Sequence, residues 1–296
     1  MARPDAVLRF APSPNGHLHL GHAYSALTNE RLAKARGGRL LLRMEDIDQS
    51  RCRATFEDSI LRDLEWLGIA FDPLIRRQSE HFTDYARALD QLADLGLLYP
   101  CFCTRGEIAR AVAADPSVPR DPDGVALYPG TCRHLAQAER DRRLELGTPP
   151  AFRLDMAKAL ALVNLNALQR GLGPIAWREF GEGIAARDVA AHPERWGDVI
   201  LARRDIPTSY HVSVVIDDAL QGITAVVRGE DLQEATSLHL LLQRLLDLPT
   251  PDYHHHGLLR DAQGLKLSKS THARALHAVR DDGITPSALR QQLGFG

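Results

Sequence analysis

Arg9-Phe10-Ala11-Pro12-Ser13-Pro14-Asn15-Gly16-His17-Leu18-His19-Leu20-Gly21-His22 decides how this chain is read. Val7-Leu8-Arg9-Phe10 reads as a short apolar strand. Two prolines and Asn15-Gly16 then break the chain. Beyond the break, Ala23, Ala26, Leu27 and Leu32 fall at helical spacing, so the stretch from Gly21 to Ala35 is expected to be a helix. A strand, a sharp turn and a helix start thus carry two imidazoles. Gly21 lies between them and permits close approach of a ligand to the backbone. A helix N-terminus favours anions such as phosphate groups. Histidines also cap and pack helices, but His19 and His22 straddle a glycine just after a proline-rich break.

Gly37-Gly38 ends that helix, and Arg39 to Met44 is a second apolar strand. Helices are expected from about Thr55 to Leu67 and from Thr83 to Leu95. Strand, helix, strand, helix implies a parallel sheet with helices on its faces, an α/β fold. From Tyr99 to Leu135 the pattern changes to three cysteines, several prolines and little periodicity, the mark of a small inserted module. Asp198 to Leu201, Val212 to Asp217 and Thr224 to Val227 then read as strands, and Asp231 to Leu246 as a helix. The division expected is 1–98 for the first half of a nucleotide-binding domain, 99–190 for the insertion, 191–246 for the second half, and 247–296 for a segment carrying a lysine loop.

The chain has 296 residues, of which 44% are hydrophobic and 25% charged, enough for a sizeable core. No run approaches the roughly 18 apolar residues of a membrane span. Met1 to Arg9 has no apolar stretch like that of a signal peptide, so a cytoplasmic protein is expected. The net charge of -2 neither supports nor excludes nucleic acid, which depends on local patches. Arg76-Arg77, Arg140 with Arg142-Arg143, and Arg203-Arg204 are candidates for phosphate contact or plain solvated faces. In a reducing compartment, clustered cysteines point to metal before disulfide. Cys101, Cys103 and Cys132 have a spacing that suits tetrahedral zinc, whereas Cys52 stands apart as a structural thiol.

Gly264-Leu265-Lys266-Leu267-Ser268-Lys269-Ser270 places two lysines in a small-residue loop able to neutralise developing phosphate charge. Together with the first stretch it resembles the class I aminoacyl-tRNA synthetases. His19-Leu20-Gly21-His22 is similar to their HIGH motif. Lys266-Leu267-Ser268-Lys269-Ser270 is similar to their KMSKS loop, with Leu267 in place of Met. Arg9 to Pro14, Glu45-Asp46-Ile47-Asp48-Gln49-Ser50-Arg51, and Val214-Val215-Ile216-Asp217-Asp218 leading to Val227-Arg228-Gly229-Glu230-Asp231 resemble the glutamyl branch. The chain stops at Gly296, soon after the lysine loop, where a full glutamyl-tRNA synthetase continues into a helical anticodon-reading domain. It is therefore similar to the truncated glutamyl-Q tRNA(Asp) synthetase family, which transfers glutamate to queuosine in the anticodon.

The resemblance implies a Rossmann-like class I catalytic core with a small zinc-bearing insertion and no anticodon-binding domain. It implies ATP with Mg²⁺, L-glutamate and queuosine-containing tRNA(Asp) as partners, and no membrane. His19, His22 and Lys269 would be catalytic, and His19, Gly21, His22, Lys266, Ser268 and Lys269 would meet ATP. Glutamate would be held by Arg9, Phe10, Ala11, Pro12, Ser13, Glu45, Tyr210 and Arg228. Its two carboxylates and one ammonium need two cations and an anion. Glu45 is assigned the ammonium. Arg9 and Arg228 share the carboxylates, Arg9 being the stronger candidate for the side-chain end. Tyr128 would join Cys101, Cys103 and Cys132 as fourth ligand of one structural Zn²⁺, with His134 as rival.

Three other readings compete: a minimal synthetase charging the 3′ end of tRNA(Glu), a non-catalytic amino-acid-binding relative, and a small adenylyltransferase of the pantothenate synthetase kind. The last would have neither the Glu45 to Arg51 segment nor the cysteine module. Gly171-Leu172-Gly173-Pro174-Ile175-Ala176 and Gly181-Glu182-Gly183-Ile184-Ala185-Ala186 fit a dinucleotide glycine pattern on paper, but neither follows a convincing strand. His254-His255-His256 reads as facing nucleotide or solvent rather than metal.

Overall fold

The structure, a computed structural model, describes residues 6–181, 184–259 and 274–296. In chain order it begins with β1 (Val7–Phe10), α1 (Leu20–Ala35), β2 (Arg39–Met44), α2 (Ala54–Trp66), β3 (Arg76–Arg77) and α3 (Phe82–Asp94). Next come β4 (Leu98–Cys101), α4 (Arg105–Ala114), α5 (Gln137–Glu145), β5 (Ala151–Leu154), α6 (Met156–Arg170), β6 (Ala176–Gly181) and β7 (Ile184–Ala190). The remainder is β8 (Ile200–Ala202), α7 (Tyr210–Leu220), β9 (Ala225–Gly229), α8 (Ala235–Leu245), β10 (Asp252–His256), α9 (Leu276–Asp281) and α10 (Pro286–Gln292).

All four residues of β1 are buried, as are the last five of β2, so both read as near-continuous apolar runs. They pair in parallel from Val7 opposite Arg39 to Phe10 opposite Leu42, and β3 extends the sheet beyond β2. A second sheet runs β7-β6-β10-β9, with β10 parallel to both β6 and β9. The two sheets meet where the Thr224 N–H donates to Val7 O at 3.0 Å and the Val7 N–H to Thr224 Oγ1 at 2.9 Å. From β1 the order proceeds outward to β2 on one side and from β9 to β10 on the other. Such a reversal leaves a crevice at the carboxyl ends of the strands, where α/β proteins bind ligands.

Leu8, Leu27, Leu42, Ile60 and Leu64 form one core between this sheet and α1 and α2. Tyr85, Leu92, Val212, Val215, Leu238 and Leu241 form another among α3, α7 and α8. The second corrects the sequence reading: Val212 to Asp217, expected as a strand, is helical and belongs to α7. The run is buried all round because α7 packs between α3 and α8, and that burial hides the helical period. Ser209 caps the helix, its Oγ accepting from the Val212 N–H at 3.5 Å.

The stretch expected as one insertion contributes to two sheets. β4 and β5 pair with β8 in a small antiparallel sheet, whereas β6 and β7 extend the sheet of β9 and β10. No helix among the described residues is long and apolar enough to cross a membrane.

Candidate active site

The carboxyl ends of β1, β2, β9 and β10 surround a cavity of about 510 Å³. Arg9, Phe10, Ala11, Pro12, Ser13, His19, Gly21, His22, Glu45, Tyr210 and Arg228 all line it. The structure thus brings together every described residue that the sequence pointed to for glutamate and ATP. Lys266, Ser268 and Lys269 lie outside the described residues.

His19 and His22 cap α1 reciprocally. The Gly21 N–H donates to His19 Nδ1 at 3.1 Å, and the His19 N–H donates to His22 Nδ1 at 3.1 Å. A ring nitrogen that accepts carries no proton, so each neutral imidazole is protonated on Nε2. The rings lie 3.8 Å apart between centroids. This pair does what a Ser/Glu capping box does, with both imidazoles at the positive end of the helix.

The cations are fixed from beneath. Asp218 Oδ1 accepts from Arg9 Nε at 3.0 Å and from Arg43 Nη1 at 2.8 Å. Arg43 is fully buried and also donates to Gln221 Oε1 at 2.9 Å and to Glu45 Oε1 at 3.3 Å. Burial pushes the Asp218 carboxyl up, but Arg9 and Arg43 outweigh it and hold the group below the usual range. For Glu45 burial wins: its carboxyl is raised despite Arg43 and Arg9. Arg228 is buried and donates to Thr236 Oγ1 at 2.6 Å, to His239 Nδ1 at 3.2 Å and to His255 Nε2 at 3.3 Å. His211 lies 3.1 Å from His239, and burial, followed by Arg228, pushes His211 down to about 4. Tyr210, at the first turn of α7, has its phenol raised by burial.

The sequence reading gave several of these residues no role in the site. Arg43 sits inside an apolar strand and Asp217-Asp218 inside an apolar run, and charges in such places need partners. That was the available signal. The histidine triplet divides: His254 hydrogen-bonds Phe180 O, His255 is buried behind Arg228, and His256 lines the cavity beside Tyr24. The arginine groups considered for phosphate are engaged internally. Arg76 binds Asp217, Arg77 binds Glu57, Arg142 and Arg143 bind Glu139, and Arg203 binds Asp205.

The Sγ atoms of Cys101, Cys103 and Cys132 all lie within 4.8 Å of one another. Tetrahedral zinc with bonds of about 2.3 Å needs sulfurs roughly 3.8 Å apart, so the three thiols fit that ion. Tyr128 Oη is 3.4 Å from Cys103 Sγ and accepts from the Cys132 N–H at 2.8 Å. Among the described residues no histidine, His134 included, belongs to the group. Cys52 is apart, with its sulfur 3.8 Å from Ser13 Oγ.

The family described as tRNA synthetases class I (E and Q), catalytic domain, matches residues 6–295. A glutamyl-Q tRNA(Asp) synthetase of Rhodobacter capsulatus is 45% identical over 98% of this chain and 100% of its own. Another, of Nitratidesulfovibrio vulgaris, is 38% identical over 97% of this chain and 85% of its own. A glutamate tRNA ligase of Elizabethkingia meningosepticum, solved with its amino acid, superposes with a TM-score of 0.70 at 27% identity. The match covers 91% of this chain, which spans about half (53%) of that longer protein. A cavity at the strand reversal, a histidine-capped helix and two buried arginines facing a carboxylate therefore have a common origin: the chain belongs to the class I tRNA synthetases of the E and Q type, among their glutamyl-Q tRNA(Asp) synthetases, and is a ligase.

Proposed function

We propose that this protein joins L-glutamate to ATP, giving glutamyl-adenylate and pyrophosphate, and then passes the glutamyl group to queuosine in the anticodon of tRNA(Asp). The observation that carries the first step is the charge pattern of the cavity of about 510 Å³: the buried guanidiniums of Arg9 and Arg228 and the Glu45 carboxylate, with the exposed Asp231 also on its lining. Glutamate has the complementary pattern. Glu45 receives its ammonium, Arg9 and Arg228 its carboxylates, and Tyr210 offers a hydroxyl, with Phe10, Ala11, Pro12 and Ser13 forming the wall between them.

The α-carboxylate is already a nucleophile, so no general base is required when it attacks the α-phosphorus. Catalysis is positioning and charge stabilisation. His19 and His22 offer Nε2–H donors to phosphoryl oxygens, and the Gly21 backbone allows the nucleotide close to α1. Lys266, Ser268 and Lys269 would complete the phosphate site by family resemblance, and Mg²⁺ would accompany ATP. In the second step a hydroxyl of the acceptor attacks the activated carbonyl and AMP leaves. Cys101, Cys103, Cys132 and Tyr128 would hold one structural Zn²⁺ that stiffens the insertion. A tRNA substrate places the protein in the cytoplasm.

Transfer of labelled glutamate tests the acceptor. Label should enter tRNA(Asp) carrying queuosine, should not enter the same tRNA with guanosine there, and should persist after removal of the 3′-terminal adenosine. A site built to hydrogen-bond a hydroxyl rejects an analogue lacking it by roughly 10⁴-fold. Label that requires the terminal adenosine and ignores queuosine would instead make the protein a synthetase charging a 3′ end.

A further inference from the structure

Arg9 and Arg228 face one cavity, yet their charges are met differently. Arg9 touches a carboxylate, Asp218. Arg228 touches none among the described residues; its partners are His255, His239 and Thr236. Those bonds use three of the five N–H groups of the guanidinium and leave one on each Nη.

The tautomer of His255 follows from its contacts. Glu179 Oε1 accepts from the His255 backbone N–H at 2.9 Å, and Glu179 Oε2 accepts from Trp177 Nε1 at 2.7 Å. The carboxylate is thus fixed independently of the ring. His255 Nδ1 lies 2.9 Å from Glu179 Oε2 and 3.2 Å from Oε1. An ionised carboxylate only accepts, so Nδ1 carries the proton and Nε2 is bare. Bare Nε2 is what Arg228 Nε and the Thr236 hydroxyl, 3.1 Å away, both require. The opposite tautomer would set N–H against N–H.

We propose that Glu179, acting through His255, is the positioning residue that aims Arg228 at a carboxylate of bound glutamate. The proposal rests on the assignment of Arg228 as a carboxylate ligand. Its geometry is built into the sheet: Glu179 is on β6, His255 on β10 and Arg228 on β9, three adjacent strands. His255 is the register partner of Arg228, and Tyr253 that of Glu179. A carboxylate in direct contact would orient the guanidinium too, but it would compete with the substrate for the same N–H groups. One imidazole of separation supplies orientation and negative charge while leaving the fork to the ligand.

The test combines ¹⁵N NMR of the histidines with pyrophosphate exchange. In the unaltered protein His255 should be neutral and protonated on Nδ1; an Nε2–H signature overturns the proposal without any variant. Glu179→Gln should raise the KM for glutamate on the order of 10- to 100-fold, the usual effect of losing an outer partner that fixes a ligand-binding group. The KM for ATP should stay as it is, and kcat should fall far less than the glutamate KM rises. Loss of packing alone would lower the active fraction and the Tm and leave KM unchanged, which also overturns it. Arg228→Gln separates the two layers. If that variant has the glutamate KM of the unaltered protein, the assignment of Arg228 falls and the proposal with it. If it is impaired while Glu179→Gln is not, the relay alone falls.

Discussion

Glu45 has two arginines beside it and still titrates above the ordinary carboxylate range, because burial outweighs them. An ammonium docked there would add the missing positive charge. Glutamate binding therefore favours the ionised form, and affinity is fully present above the raised pKa and lost as pH falls through it. The expected outcome is a glutamate KM that climbs on the acid side at a pH higher than an unperturbed Glu, about 4.3, would give. Glu45→Gln should weaken binding by on the order of 10²-fold and flatten that acid limb, since a buried ion pair broken at one partner costs about 3 kcal/mol or more. Pyrophosphate exchange across pH in both proteins checks it; the same acid limb in the variant would remove Glu45 from the ammonium site. At this scale the sequence was legible where chemistry is local. Arg9, His19, Gly21 and Glu45 sit beside breaks and strand ends, where side chains meet ligands. Asp218, Arg43 and His255 were not legible, because each acts across more than 25 positions of chain.

Among the elements, α7 gathers more charge than any apolar helix should tolerate unpaired. Asp217 is fully buried and accepts from Arg76 Nε at 2.7 Å, Gln78 Nε2 at 2.8 Å and Tyr85 Oη at 2.9 Å. It ties α7 to α3 and to the end of β3. Truncation in Asp217→Ala would strand the Tyr85 hydroxyl and the Gln78 amide together and leave the Arg76 cation with Asp84 alone. A loss of about 3 to 5 kcal/mol of stability is expected, read from the urea midpoint at unchanged m-value. A loss below about 1 kcal/mol would mean water replaces the carboxylate. The sequence hid this helix because Val212, Val214, Val215 and Ile216 are all β-branched and apolar, which suits a buried strand as well as a helix wrapped on both sides. α1 and β2 were legible for the opposite reason: Gly37, at a φ of 61°, closes the helix and separates two patterns of different period.

At the scale of the whole molecule, the described residues include the cavity at the strand reversal and, apart from it, the cysteine cluster where β4 ends. None of the four cluster residues lines the cavity of about 510 Å³. Purified protein is expected to hold one zinc per chain by elemental analysis. Cys132→Ser should lose it and lower the Tm, because a structural site contributes folding free energy directly. Glutamate-dependent pyrophosphate exchange at low temperature should survive in that variant. Protein free of zinc after metal-replete expression, or exchange abolished with the fold intact, would count against a purely structural ion.

Asp218 clamps Arg9 and Arg43 from positions 209 and 175 residues further along the chain. During synthesis the two cations emerge long before the carboxylate that fixes them. An N-terminal half folding on the ribosome thus has β1 and β2 but lacks Asp218, so Arg43 has only Glu45 beside it, and loop closure over such distances must come first. If glutamate binds as proposed, between Arg9, Glu45, Tyr210 and Arg228, it cannot template the nascent fold, since that site comes into being only after α7 and β9 have been translated and docked. Amino-acid recognition in this protein is then a late event in its own biosynthesis, and a pause or truncation ahead of residue 218 yields a chain blind to its substrate.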